Sequence, residues 1–120
     1  MALGMRVLVA CEPRYYREVV GEAIRGLRPA VEVVILDPDE LTDGVSHLDP
    51  DLVISVHPAS LDPGGRSAWV EFVPYEKPAA TVSIGGRRQE LDDLTLEDLL
   101  WVVDQAAELS RRRKDLRNHH

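Results

Sequence analysis

Three short runs of β-branched and aliphatic residues constrain this chain more than any other feature. They are Arg6–Ala10 (RVLVA), Val31–Leu36 (VEVVIL) and Leu52–Val56 (LVISV). Such short, continuous apolar runs are what strands buried on both faces look like. Between the first two, Tyr16, Val20, Ala23, Ile24 and Leu27 recur at spacings of three and four, which predicts an amphipathic helix. Pro13 suits the opening of that helix, and Arg28-Pro29 stops it. Residues 39–48 (DELTDGVSHL) read as a poorer helix, with Leu41, Val45 and Leu48 on one side and Gly44 weakening it. Asp37-Pro38 and Asp49-Pro50-Asp51 bound this segment. The pattern is β-α-β-α-β, which predicts a parallel sheet.

The second half breaks this rhythm. Residues 57–67 (HPASLDPGGRS) hold two prolines and two glycines, so no full crossover helix is expected there. Ala68–Val73 and Ala79–Ile84 read as strands separated by Pro74–Pro78, a link too short for a crossover helix; an antiparallel pair or a tight crossing is expected. Gly85-Gly86 predicts a hairpin onto Arg87–Leu91. Thr95 and Asp98 form a variant capping box that opens a last helix over 95–110, with Leu96, Leu99, Leu100, Val103 and Ala107 as its buried stripe. The expected fold is therefore α/β, one domain over 1–110: a small sheet with two or three further, partly antiparallel strands.

Charge narrows the function. The chain of 120 residues carries a formal charge of −7, and five of its 14 basic residues lie in the last ten positions against one acid. Residues 1–110 thus hold 9 basic and 20 acidic side chains, a net of −11, beside a tail of +4. An acidic body repels phosphate backbones, so nucleic acid is not expected as a partner. The basic tail 111–120 reads as a solvated helix end, and His119-His120 resembles the remnant of a purification tag. No apolar run approaches the ~20 residues that span a bilayer, and the start MALGMRVLVA lacks a basic region before its apolar stretch. A cytoplasmic protein with no membrane attachment is expected. A single cysteine provides neither a disulfide framework nor a cysteine-rich metal site.

Ligands of open parallel sheets bind beyond the carboxyl ends of the strands. Cys11, Glu12, Arg14, Asp37, His57 and Ser60 fall there. Cys11–Arg17 has the Cys-x5-Arg spacing of phosphate-binding phosphatase loops. Against this, Pro13 supplies no N–H, Glu12 places negative charge where phosphate would sit, and no glycine opens the loop. Cys11 with His57 would make a thiol–imidazole dyad if the two side chains met. Glu12, Asp37 and His57 would clasp a divalent ion if they converged. Gly85-Gly86-Arg87-Arg88 has no helix N-terminus after it and reads as a turn with solvated arginines. On the last helix, Trp101 falls with Glu97, Gln105 and Glu108, nearly opposite the aliphatic stripe. There the ring either lies across a neighbouring loop or meets a partner, the kind of position where tryptophan is enriched.

The stretches V-L-V-A-C-E-P-R-Y-Y-R-E-V-V-G-E-A-I and D-P-D-L-V-I-S-V resemble the receiver domain of two-component response regulators. The resemblance covers about residues 5–58 and, more loosely, the last helix. It implies a flavodoxin-like fold, with the three parallel strands in order 2-1-3, and a phosphorylation pocket, but the pocket's positions are altered. The acidic pair that holds magnesium falls on Ala10 and Cys11, leaving Glu12 beside it. The phosphoacceptor position falls on Val56, or on Ser55 or His57 with a one-residue slip. Lys77-Pro78 precedes the strand that the family's Lys-Pro follows, and the helices between strands three, four and five are missing. Phosphoryl transfer to such a domain needs a carboxylate nucleophile and a carboxylate-bound metal. The resemblance therefore implies a degenerate receiver, a phosphorylation-incompetent signalling module with no cofactor and no catalytic residue. Its contact would be a protein partner or a homodimer through Trp101, Glu97, Gln105 and Glu108. The alternative is a small-ligand binder or thiol-dependent enzyme using Cys11, Glu12, Arg14 and His57.

Overall fold

The computed structural model describes residues 5–57, 68–73 and 76–117. The apolar runs form strands β1 (Arg6–Ala10), β2 (Glu32–Ile35) and β3 (Leu52–Ser55), followed by β4 (Ala68–Phe72), β5 (Ala80–Ile84) and β6 (Arg87–Leu91). The helices are α1 (Arg14–Leu27), α2 (Leu41–Leu48), entered through a 3₁₀ turn at Pro38–Glu40, and α3 (Leu96–Arg117). All six strands join one sheet in the order β2-β1-β3-β4-β5-β6. The first four are parallel, and β5 and β6 are antiparallel to their neighbours. A parallel 2-1-3-4 order is the flavodoxin-like arrangement, from which the β5–β6 hairpin departs.

Strand alternation divides the core between the two faces of the sheet. On one face Val7, Val9, Leu52, Ile54, Val70 and Val82 meet α1 through Ile24 and α3 through Leu99, Val102, Val103 and Ala106. On the other, Leu8, Ala10, Val53 and Trp69 meet Leu41 of α2. The crossovers from β1 to β2 and from β2 to β3 run in opposite directions along the sheet, so right-handedness puts α1 and α2 on opposite faces. Gly44 is there for close approach as well as at a cost in helix propensity: a Cβ on it would stand 2.6 Å from Leu36 Cδ1. At the foot of the sheet, Asp51 accepts from the Arg6 amide and the Ser110 hydroxyl, both at 2.8 Å, tying β1, β3 and α3 together.

Several details differ from expectation. The final helix runs on through Arg117, so residues 111–117 continue it rather than forming a separate tail. Its buried stripe is rotated: Val102 and Ala106 are buried, Leu100 and Ala107 are half-buried, and Leu96 is exposed. Leu99 and Val103 are buried as expected, and on the exposed side of the helix the Arg28 guanidinium donates twice to Asp104, at 2.8 and 2.9 Å. The expectation for residues 57–67 lies, apart from His57, outside the described residues. Among those residues, no helix is long and apolar enough to cross a membrane.

The Arg28–Asp104 contact makes a pH-dependent prediction. Its hydrogen bond holds the Asp104 carboxyl below the ordinary carboxylate range. A folded value below the unfolded one stabilises above the unfolded pKa and is lost as pH falls through the folded value. Asp104→Asn is therefore expected to unfold at lower denaturant than wild type at pH 7. The gap should narrow as the pH falls below about 4; a gap that does not narrow at all between pH 7 and pH 2 would refute the ion pair as its source.

Candidate functional site

The carboxyl ends of β1 and β3 hold the residues on which a reactive pocket would depend. Ala10 and Cys11 are fully buried. The Cys11 thiol points to the Ile54 carbonyl, 3.9 Å from Sγ. Burial pushes its pKa up to about 12, and the nearby positive charge of Arg17 offsets only part of that. A thiol in this state is a small apolar filler, not a nucleophile. Ser55, also fully buried, accepts from the His57 amide at 3.0 Å. The His57 carbonyl accepts from Trp69 Nε1 at 2.8 Å, so the turn after β3 is fastened to β4 through its backbone. Val56 is half-buried at the same turn.

Of the strand-end charges, Arg14 faces solvent and pairs with Glu18 at 3.6 Å. Glu12 is exposed. Arg17, not Arg14, turns inward: it donates to the Cys11 carbonyl at 3.2 Å and lies 3.8 Å from Asp37. Asp37 is further occupied as the cap of the 3₁₀ turn, accepting from the Asp39 amide while its own amide donates to Glu40. Arg17 thus braces the ends of β1 and β2, a role the Cys-x5-Arg spacing did not reveal. Among the described residues no three His, Cys, Asp or Glu side chains gather as a metal cage, so Glu12, Asp37 and His57 do not converge. Ser60 lies outside the described residues.

Two grooves open elsewhere. At the top of the sheet, about 290 Å³ is lined by Tyr16, Phe72, Lys77 and the acids Glu76, Asp92 and Asp93. Tyr16 meets Phe72 edge-on with ring centroids 5.9 Å apart, and Tyr15 stacks on Tyr16 at 4.7 Å. Beside α3, a second groove of about 330 Å³ lies between Trp101 and Gln105 and the hairpin residues Val82, Ile84, Arg87 and Gln89. Trp101 is 51% exposed, with Glu97 and Gln105 exposed on the same face. Glu108 completes that face and pairs with Arg111 and Arg112.

No family model, curated protein or solved structure matches this chain. The strand-end position is closed by its own hydrogen bonds, whereas the Trp101 face is open.

Proposed function

We propose that this protein is a phosphorylation-incompetent, receiver-like signalling module of the cytoplasm that acts by touching a protein partner rather than by turnover. The observation that carries the reading is the state of the strand ends. By the resemblance, Ala10, Cys11 and Val56 fall where a receiver needs carboxylates; Ala10 and Cys11 are fully buried, and burial holds the Cys11 thiol in its protonated form. A phosphoryl group there would meet neither a nucleophile nor a carboxylate-bound metal to offset its charge. The partner surface is the exposed face of α3, where Trp101 presents a large apolar ring among polar side chains. Such rings anchor interfaces because they bury much area at little entropic cost.

Incubation with acetyl phosphate and Mg²⁺, followed by intact-mass measurement, tests the reading. No phosphoryl adduct is expected under conditions that saturate a competent receiver. A stoichiometric, acid-stable or acid-labile adduct would overturn the proposal.

A further inference from the structure

A two-residue hairpin loop decides which backbone groups of its strands face the neighbour. β5 and β6 are joined by Gly85-Gly86, both at positive φ, with Ile84 opposite Arg87 and Ala80 opposite Leu91. The pair flanking such a turn exchanges both backbone hydrogen bonds, and the pattern alternates along the ladder. Arg87, Gln89 and Leu91 thus bond to β5, while the N–H and C=O groups of Arg88 and Glu90 point away from the sheet. β6 is an edge of the sheet, and among the described residues nothing bonds those outward groups. The opposite edge is different. The Glu32 and Leu36 amides donate to β1, leaving Val33 to face outward, and Arg25 covers the Val33 carbonyl at 3.0 Å.

We propose that β6 pairs antiparallel with β6 of a second copy about a two-fold axis through Gln89, joining two protomers into one continuous sheet. The occupant is fixed by charge. Three central registers use the outward groups: Arg88 opposite itself, Glu90 opposite itself, or Arg88 opposite Glu90. The first two set like charges face to face on the axis, which destabilises a strand pair. The third places each Arg88 beside the other copy's Glu90, twice by symmetry. Charges on an edge strand ordinarily guard against pairing. Here their order, Arg-Gln-Glu, rejects slipped registers and admits one closed dimer.

The groove beside α3 completes the interface. Arg87 and Gln89 share a sheet face with Trp101 and Gln105. The two-fold runs perpendicular to the sheet, so both α3 helices lie on one side of it and the two grooves meet at the axis. Five residues of strand pairing alone fall short of the roughly 1,200–2,000 Å² that a stable interface buries. Two half-exposed Trp101 rings and their flanking α3 faces supply the remainder. This inference rests on the reading of the chain as a contact module and names its partner as the chain itself.

Light scattering and sedimentation over a range of concentrations test it. The samples are wild type, Arg88→Glu, Glu90→Arg, the double reversal, and Glu90→Pro. Wild type is expected to dimerise. Either single reversal should weaken the dimer by roughly ten-fold or more, and the double reversal should restore it to within about three-fold. Glu90→Pro removes an outward N–H without costing the hairpin a ladder bond, so it should abolish the dimer while circular dichroism stays that of wild type. A wild type that stays monomeric overturns the pairing, yet leaves contact with a different protein standing. A dimer indifferent to the reversals and to proline also overturns it, even if Trp101→Ala dissolves that dimer. Phosphorylation by acetyl phosphate would defeat the functional reading without touching the pairing.

Discussion

Replacing Trp69 by alanine is expected to cost about 3–5 kcal/mol and to lower the melting temperature by about 10–20 °C. The α2 face of the sheet is a small core: its fully buried members are Leu8, Ala10, Leu41, Val53 and Trp69, with Trp69 the largest. Val34, Leu36, Val45 and Leu48 pack around it, and these neighbours, fixed on the sheet and on α2, collapse only partly into the space a lost indole leaves. The indole also donates to the His57 carbonyl, so its removal unties the turn after β3. Trp69→Phe separates the two contributions. It keeps most of the apolar contact and leaves that carbonyl without its donor, for a loss of about 1 kcal/mol. Thermal melts followed by far-ultraviolet circular dichroism give both numbers. The chain has two tryptophans, one buried and one half-exposed, so Trp101→Ala supplies a background in which fluorescence reports Trp69 alone. An alanine variant that melts within a few degrees of wild type would show that this core does not hold the sheet together.

The first half of the fold was legible because local and global signals agree there. β-branched runs, flanking prolines and one helical stripe all point to the same alternation, and β1, α1, β2, α2 and β3 follow it. The hairpin and the helix cap were equally plain. Gly85 and Gly86 adopt the positive φ such a turn requires, and Thr95 and Asp98 exchange the two bonds of a capping box. The roll of α3 was not legible. Leu96, Leu100 and Ala107 make as good an apolar stripe as Val102 and Ala106, and periodicity cannot rank two overlapping stripes. The roll observed packs Leu99, Val102, Val103 and Ala106 into the core against the sheet, contacts with residues distant in sequence that no local pattern announces. The direction of β4 was hidden for a similar reason. A dozen residues separate Ser55 from Ala68, the least that a parallel connection needs, and no helical pattern marks them as a crossover.

At the strand ends, residue types were readable and side-chain directions were not. Arg14 and Arg17 differ by three positions, so either could face the sheet; packing sends Arg17 to the Cys11 carbonyl and Asp37, and Arg14 to solvent. Helix geometry set Trp101 away from the aliphatic stripe but left open whether a neighbouring loop covers it; the ring is half-exposed. The two-residue Gly85-Gly86 loop fixes the hairpin register, and that register turns the amides of Arg88 and Glu90 outward.

The second large effect concerns the thiol. At pH 8 a cysteine of ordinary pKa, near 9.0, is about one-tenth thiolate, whereas one pushed up to about 12 is about 10⁻⁴ thiolate. Cys11 in the folded protein is therefore expected to react with a disulfide reagent or a maleimide at least ~10³-fold more slowly than in guanidinium, and full burial slows it further. The same displacement makes a stability prediction of definite sign. A folded pKa above the unfolded one leaves stability intact below pH 9 and removes it as pH rises toward 12, by about 1.4 kcal/mol per pH unit. Other groups titrate in this range, so the quantity to read is the difference between wild type and Cys11→Ala, measured by denaturant unfolding at each pH. Wild type should lose ground to the variant between pH 9 and 12 and hold a constant offset below pH 8. Labelling in the native state at a rate near that of a free thiol would mean that the strand ends open to solvent with Cys11 ionised. Such a result would return the chain to the class of thiol-dependent enzymes, because the reading of a contact module depends on that sulfur being sealed beneath the Ile54 carbonyl.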